Sequence, residues 1–350
     1  MAIGLDDVVA AETALSDVDG LAGRLIIAGH SLELLSGHRR FEEVLALLWV
    51  TDDLTAALAE ARKAAWQRFA PALPAVAGLA PFDAIRALMA QLPDDMSDET
   101  ALLLVAAPAV LVPALLRQRQ GQAPVAPDPR RGHADDVLAM LTGASPDPRL
   151  SRGLDAYLVT VIDHGLNAST FAARVVASTQ AGLTSAVLAA LGALKGPLHG
   201  GAPGPVLDML DAVGSAERAE LVLAAQIARG ERLMGFGHRI YRVRDPRADA
   251  LKAALQTLPP SPRLDLALAV EATALRLLKA KKPDRPLETN VEFFTALLLD
   301  ALGFDRDAFT AVFAMGRVGG WIAHAREQAA SGRLIRPKSV YVGPPPREAA

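Results

Sequence analysis

Cysteine is absent from the 350 residues of this chain, which excludes disulfides, a thiol nucleophile and thiolate metal ligands. Aromatic residues make up only 5%, whereas hydrophobic residues together reach 51%, so the core must consist mainly of Ala, Leu and Val. Such a composition is typical of packed helices rather than of a β-sandwich. The net charge is only −3, which gives no reason to expect nucleic acid or an acidic membrane as a partner.

Targeting and metal-binding signals are also missing from the sequence. The N-terminal stretch MAIGLDDVVAAETALSD carries early acidic residues and no basic segment, so no signal peptide is predicted. The longest apolar run, residues 101–116, contains Pro108 and Pro113. It is short for a membrane span and predicts a buried helix instead. The seven histidines show no metal-ligand spacing, so no metal is expected. Because no signal peptide and no membrane segment are predicted, we expect a cytoplasmic protein.

Helical periodicity dominates the organisation of the chain. A Pro- and Arg-rich connector is expected over 118–132, and a disordered tail over 343–350. The only strand signals are two short segments, 8–13 and 23–29, which flank a turn at 17–20 and predict a small hairpin. Beyond the apolar run described above, helices are predicted over 41–49, 53–70, 134–141, 154–162, 170–180 and 183–194.

Two histidines flanked by glycine are the most informative feature. His199 lies in KGPLHGGA and His238 in MGFGHRIYR, and glycine allows the backbone to approach a ligand closely. Prolines soon after His199 predict a helix start, whose positive end favours the neutral imidazole. A neutral imidazole can donate a hydrogen bond to a carbonyl oxygen that becomes enolate-like. A loop histidine satisfied by the backbone is the alternative, and local sequence favours it.

Arginines near these histidines suggest an anionic ligand. Arg242 and Arg247 belong to a basic cluster after His238, and arginine forms bidentate pairs with carboxylates and phosphates. A solvated basic helix end explains the cluster equally well. Arg317 differs, because it lies within an apolar helical stretch and must be paired there by an acid or a ligand.

Three further residues are ambiguous on local grounds. Glu292 stands before an apolar helix, where it could be a general base or simply an acid favoured by the helix dipole. His164 lies between two helices and is locally best explained as a structural histidine. Arg336 is locally a charged loop residue.

Together these segments resemble the citrate synthase family in its short bacterial and archaeal form. The match follows the family order from GLDDVVAAETALSDVDG at the N-terminus to RPKSVYVG near the C-terminus. Between them stand PLHGG, GFGHR and DPRA, a combination that is highly specific at this spacing. It favours the functional interpretation of each residue above over its local alternative.

The resemblance implies an all-α, two-domain helical fold with a small N-terminal β-hairpin. Residues 1–200 and 304–350 would form the large domain, with a small domain over 201–303 inserted in it. The family resemblance also implies an obligate homodimer. Its reaction, typical of the tricarboxylic acid cycle, is the condensation of acetyl-CoA with oxaloacetate, followed by hydrolysis to citrate and CoA. Acetyl-CoA is then a cosubstrate, and no metal or further cofactor is implied.

The resemblance also assigns roles to residues by motif. His199 would hold the thioester carbonyl, His238 would polarise the oxaloacetate ketone, and Glu292 stands at the position of the base. Residues expected to bind oxaloacetate are His164, His238, Arg247, Arg317 and, from the other subunit, Arg336. Those expected to bind CoA are Met234, Gly235, Phe236, Gly237 and Arg242.

Glu292 is the main departure from the family, which usually has Asn-Val-Asp where this chain has Asn290-Val291-Glu292. A displacement of a reactive group by about 1 Å can cost on the order of a hundredfold in rate, so a slower enzyme is predicted. Two alternatives accompany citrate synthase: a 2-methylcitrate synthase that uses propionyl-CoA, and a regulatory paralogue that binds CoA or a dicarboxylate. Glu292 is the only support for the paralogue.

Overall fold

A computed structural model describes residues 8–197, 199–200, 204–237, 241, 243–283 and 287–344. Within these ranges the strands are β1 (Ser16–Asp19), β2 (Arg24–Ile27) and β3 (His30–Ser31). The helices are α1 (Leu32–Leu35), α2 (Phe41–Trp49), α3 (Thr55–Phe69), α4 (Pro81–Met89), α5 (Asp98–Arg119), α6 (His133–Thr142), α7 (Pro148–Val161), α8 (Ala168–Ala177), α9 (Leu183–Leu194), α10 (Gly204–Val213), α11 (Ala219–Ala228), α12 (Pro246–Gln256), α13 (Pro262–Lys281), α14 (Val291–Ala301) and α15 (Phe309–Ser331). Short 3₁₀ helices lie at Ala70–Val76, Ala216–Arg218 and Arg306–Ala308. The predicted all-α class is confirmed.

The apolar run that resembles a membrane span is the central helix of the core. α5 is long and apolar enough to cross a membrane, but 89% of its most apolar window is buried. Ser97 caps its start by accepting from the Thr100 amide, and Pro108 and Pro113 lie inside it. Its neighbours are α3, α4, α6, α9 and α15. The sequence-based prediction of a buried, proline-containing helix is therefore confirmed.

The small sheet is antiparallel, in the order β1-β2-β3, and it corrects one sequence prediction. The predicted second segment, 23–29, contains β2, but the first strand runs over Ser16–Asp19 rather than 8–13. Asp19 was placed inside the turn, whereas it ends the strand and accepts from the Leu21 and Ala22 amides. A side chain that binds the backbone two and three residues ahead starts a turn, so the turn follows Asp19.

Most predicted helices are confirmed, with shifts at their ends. α2 and α9 have the predicted bounds, and α6 ends at Thr142, before Gly143, which adopts a left-handed φ of 76°. α7 begins six residues earlier than predicted. Pro148 occupies the first turn of α7 behind the capping residue Asp147, a position that proline favours.

The long helix α15 places the candidate site against the rest of the fold. It packs on α5, α7, α8 and α9. Its glycines allow a close approach: a Cβ at Gly316 would press on Val161, and one at Gly320 would collide with the Ile162 carbonyl oxygen. The end of α7 and the loop that carries His164 therefore lie directly on α15. The division into domains 1–200 with 304–350 and 201–303 stays a prediction.

Candidate active site

Arg317 is a buried guanidinium with an unfilled donor. It is 1% exposed, its Nε donates to the Val161 carbonyl, and its guanidinium stacks 4.9 Å from the Phe313 ring centroid. Its Nη2 has no hydrogen-bond partner among the described residues. Burial, with Arg247 nearby, lowers the pKa of Arg317 to about 10, although Asp163 opposes this shift. Arg317 therefore stays charged at neutral pH, and an anion would satisfy its remaining donor.

Arg247 supplies a second buried guanidinium. It lies in the first turn of α12, is 5% exposed and donates to both carboxylate oxygens of Asp245, at 3.1 and 2.8 Å. Asp245 also caps the helix through the Arg247 amide. Asp245 thus both fixes the Arg247 side chain and caps the start of α12. Arg247 lies close enough to Arg317 for each charge to disfavour its neighbour.

His199 lies beside both arginines, after the C-terminal end of α9. Burial lowers its pKa to about 4, and the Arg317 and Arg247 charges add to this effect. The imidazole is therefore neutral at pH 7, as expected, but the main cause is burial and not a helix end. A Cβ at Gly200 would collide with the Leu194 carbonyl oxygen, so this glycine is what lets the loop fold back here.

Ser169 sets the orientation of His199, because its Oγ lies 2.8 Å from His199 Nε2. The Ser169 hydroxyl accepts from Trp321 Nε1 at 3.1 Å and donates to Asn167 Oδ1 at 2.8 Å. Asn167 Oδ1 already accepts from the Ser169 and Thr170 amides. The contact with Ser169 holds the His199 imidazole by Nε2 and so fixes the orientation of the ring.

Glu292 lies in the first turn of α14 and is partly buried. Burial raises its pKa above the ordinary value; Arg247 opposes this rise and Asp245 supports it. A carboxylate with a raised pKa is a stronger base. Because Glu292 and His199 are both electrostatically coupled to Arg247, the structure brings these three predicted site residues together.

The segment before Glu292 is joined to the segment predicted to bind CoA. Asn290 donates from its amide to the Gly235 carbonyl at 2.9 Å and from its side chain to the Gly237 carbonyl at 2.8 Å. Its Oδ1 accepts from the Glu292 amide at 3.1 Å. Gly237 in turn donates to Glu288. Met234–Gly237 and the base thus form one hydrogen-bonded unit.

His164 lies in the loop between α7 and α8 and is 6% exposed. Its Nε2 is 3.1 Å from the hydroxyl of Tyr241, whose ring also lies 5.8 Å below the Arg247 guanidinium. Tyr241 therefore connects His164 with Arg247. The local interpretation of His164 as a structural histidine missed this link.

The remaining predicted residues are His238, Arg242 and Arg336. His238 and Arg242 lie outside the described residues, and Arg336 is exposed in the segment after α15. Sequence reasoning also missed Ser169, Trp321, Tyr241, Asp245 and Asn290. Ser169 and Asn290 had a usable signal, since each stands at a helix start; Trp321 had none.

The site combines a neutral imidazole, a carboxylate of raised pKa and two buried arginines. These groups suit an enzyme that binds an anionic compound and removes a proton next to a carbonyl group. The family model for the citrate synthase C-terminal domain matches residues 4–338. The chain belongs to the citrate synthase family. It is therefore an acyltransferase of the kind that converts the acyl group into an alkyl group on transfer.

Individual relatives agree with this assignment. A putative citrate synthase 2 of Mycobacterium tuberculosis is 41% identical, with 98% of this chain and 93% of the relative aligned. A 2-methylcitrate synthase of Mycobacterium tuberculosis is 36% identical over 97% of this chain and 90% of the relative. The solved ternary complex of Thermoplasma acidophilum citrate synthase with carboxymethyl coenzyme A and oxaloacetate has a TM-score of 0.87 and 27% identity, over 99% of this chain and 97% of that one.

Proposed function

We propose that this enzyme condenses acetyl-CoA with oxaloacetate and hydrolyses the product to citrate and CoA, as a homodimer in the cytoplasm. The observation that carries the proposal is the buried Arg317 with its unpartnered Nη2 beside a second buried guanidinium, Arg247. Asp245 balances the charge of Arg247, but among the described residues no carboxylate is bonded to Arg317, so its positive charge favours an anionic ligand. A substrate with two carboxylates, such as oxaloacetate, is such a ligand.

The first step removes a proton from the methyl group of acetyl-CoA. Glu292 accepts this proton, and the electron pair forms an enolate whose oxygen takes a hydrogen bond from His199. A neutral imidazole suits this task, because it donates without giving its proton away at neutral pH. Ser169, whose Oγ lies 2.8 Å from His199 Nε2, orients the imidazole for this hydrogen bond. Stabilising the oxyanion as it forms is what allows a carboxylate to act on so weak an acid.

The second step forms the carbon–carbon bond. The enolate carbon attacks the ketone carbon of oxaloacetate, and the ketone oxygen takes a proton from His238 and becomes a hydroxyl. Arg247 and Arg317, with Arg336 of the partner subunit, hold the carboxylates so that the ketone faces the enolate. Water then adds to the thioester, and CoA leaves as the thiol.

CoA itself is placed by backbone and charge. The main chain of Met234, Gly235, Phe236 and Gly237 would face the adenine, and Arg242 suits the phosphates. Arginines and imidazoles supply the electrostatic stabilisation in this scheme, so we propose that no metal or cofactor is required and that chelators leave the rate unchanged.

Propionyl-CoA is the second candidate acyl donor, because a 2-methylcitrate synthase is among the relatives. The two donors differ by one methylene, which a hydrophobic pocket discriminates by only about 1–3 kcal/mol. Phe313, whose ring centroid lies 6.2 Å from that of His199, would border the acyl group that His199 holds.

The deciding experiment is thiol release from acetyl-CoA and from propionyl-CoA at matched concentrations, with and without oxaloacetate. We expect release that depends on oxaloacetate and is faster with acetyl-CoA. Faster release from propionyl-CoA would favour the second candidate. Oxaloacetate binding without release of thiol from either donor would overturn the enzymatic proposal and favour the regulatory paralogue.

A further inference from the structure

A second group of polar side chains is buried between α8 and α15, away from the reacting groups. Arg174 of α8 is 2% exposed. Its guanidinium donates to three side chains on one face of α15: His324 Nδ1 at 2.8 Å, Glu327 Oε2 at 2.6 Å and Gln328 Oε1 at 3.0 Å. Burying an arginine is costly, and apolar side chains of equal volume often stabilise a core at least as well. Stability alone therefore gives no reason for this arrangement.

One end of the group reaches the loop of His164. Arginine can only donate, so His324 Nδ1 accepts and the imidazole proton lies on Nε2. Nε2 faces Asp163, at 3.1 and 3.3 Å from its two carboxylate oxygens, and both side chains are 0% exposed. Asp163 directly precedes His164. The position of His164 therefore depends on a carboxylate that His324 holds, and His324 is held in turn by Arg174.

The other end reaches the segment after α15. Because Gln328 Oε1 accepts from Arg174, its amide group is left to donate, and it does so to the Arg333 carbonyl at 3.0 Å. Two residues later, the Ile335 amide donates to Ser178 Oγ at the C-terminal end of α8, at 3.1 Å. These two bonds fix the backbone immediately before Arg336.

We propose that His324, Arg174 and Gln328 are positioning residues that couple the His164 loop to the segment bearing Arg336. The inference rests on the proposed function, in which His164 binds oxaloacetate in its own subunit and Arg336 binds it in the partner's. An unbroken hydrogen-bonded path runs from Asp163 through His324, Arg174 and Gln328 to the Arg333 carbonyl. The path thereby links His164 and Arg336, which bind oxaloacetate in different active sites of one dimer.

The variant His324→Leu tests the first half of the path. The KM for oxaloacetate should rise about tenfold, while the KM for acetyl-CoA changes less than about twofold, because both positioned residues bind oxaloacetate. His324→Gln should restore most of the affinity, since its amide can accept from Arg174 and donate to Asp163.

His133→Leu is the matched control. His133 is also 0% exposed, and its Nδ1 lies 3.4 Å from another buried arginine, Arg62, but that cluster contacts none of the described site residues. The control should lower the Tm and leave the KM for oxaloacetate unchanged. An equal rise in KM for His133→Leu and His324→Leu, or no rise for His324→Leu, would show that the network stabilises the fold but does not position the site.

Gln328→Glu tests the second half and decides the matter if His324→Leu does not fold. The carboxylate still accepts from Arg174 but cannot donate to the Arg333 carbonyl. It should raise the KM for oxaloacetate, with little further effect in an Arg336→Ala background, because residues that act through one another are not additive. Additive effects would overturn the link to Arg336.

Failure of the two proposals can be told apart. A wild-type protein that releases no thiol contradicts the proposed function, and oxaloacetate binding by calorimetry then still measures the variants. Normal wild-type turnover with unchanged oxaloacetate affinity in His324→Leu and Gln328→Glu contradicts the coupling alone.

Discussion

At the scale of single residues, the site depends on how burial changes the chemistry of ordinary side chains. Burial brings the pKa of His199 down to about 4 and moves that of Glu292 upward. Both shifts favour the reaction, because they give a neutral hydrogen-bond donor and a stronger base in the same site. Neither group needs an unusual partner for this.

The length of Glu292 gives the first prediction. Asn290 ties the backbone at this point to Gly235, to Gly237 and to the Glu292 amide, so the extra methylene must be absorbed by the side chain. We expect Glu292→Asp to raise kcat, by up to about a hundredfold, in steady-state thiol release. Unchanged or lower turnover would show that the site is built around the longer acid.

The ionisation of Glu292 gives the second prediction. A base must be deprotonated, so kcat/KM should fall as the pH is lowered through the raised pKa of Glu292. His199, with a pKa of about 4, stays neutral until the pH is lower still. A pH–rate profile whose acid limb lies at the ordinary glutamate pKa would contradict this assignment.

The same shift predicts a gain in stability on removing the charge. Since the folded protein binds the Glu292 proton more tightly than the unfolded chain, stability is lost as the pH rises from the unfolded pKa to the folded one. Glu292→Gln should therefore raise the Tm at pH 7 but not at pH 4, while kcat falls by about 10²–10⁴. Thermal scans at both pH values measure this; a lower Tm at pH 7 would refute it.

Motifs reveal residues that act through their own chemistry, and miss those that act through another residue. His199 and Arg317 stand out in the sequence because an exposed-looking loop histidine and a charge in an apolar helix both need explanation. Trp321 and Tyr241 look like ordinary core aromatics. Their roles depend on which side chains meet at Ser169 and His164, and only the tertiary packing decides that.

At the scale of elements, the glycines of α15 determine how closely the helix approaches α7. A Cβ at Gly320 would meet the Ile162 carbonyl and the Asp163 carboxylate. We expect Gly320→Ala to destabilise the protein by about 1–3 kcal/mol through overpacking and to raise the KM for oxaloacetate by displacing the His164 loop. Denaturant unfolding and initial rates measure the two effects.

The control is Gly192→Ala, also within a helix, where a Cβ has open space. It should instead stabilise the protein, by up to about 1 kcal/mol, because alanine is the better helix former. Destabilisation at both sites would point to a general intolerance of alanine rather than to the contact with Ile162.

Element boundaries show what periodicity can and cannot predict. Phe41–Trp49 and Leu183–Leu194 were predictable to the residue, because their apolar residues recur at helical spacing. α7 was not, since a proline can end one helix or begin another, and only the Asp147 cap distinguishes the two. β1 was misplaced because an extended segment with little burial looks like a strand until its partner is known.

At the scale of the whole molecule, Arg336 gives a prediction about assembly. We expect a Glu292→Gln subunit and an Arg336→Ala subunit to complement each other when coexpressed. The mixed dimer regains one complete site if Arg336 acts in the partner, so a statistical mixture should recover about a quarter of wild-type activity. No recovery above the two parent variants would place Arg336 in its own subunit's site.

The unfilled donor of Arg317 has a consequence for the lifetime of the enzyme in the cell. A ligand that satisfies a buried group binds the folded state alone and stabilises it in proportion to its supply. Molecules without substrate are then those that unfold most often, and proteases act on unfolded chains first. When the dicarboxylate is scarce, more of the enzyme molecules would be degraded. Enzyme abundance would therefore follow substrate supply without any change in gene expression.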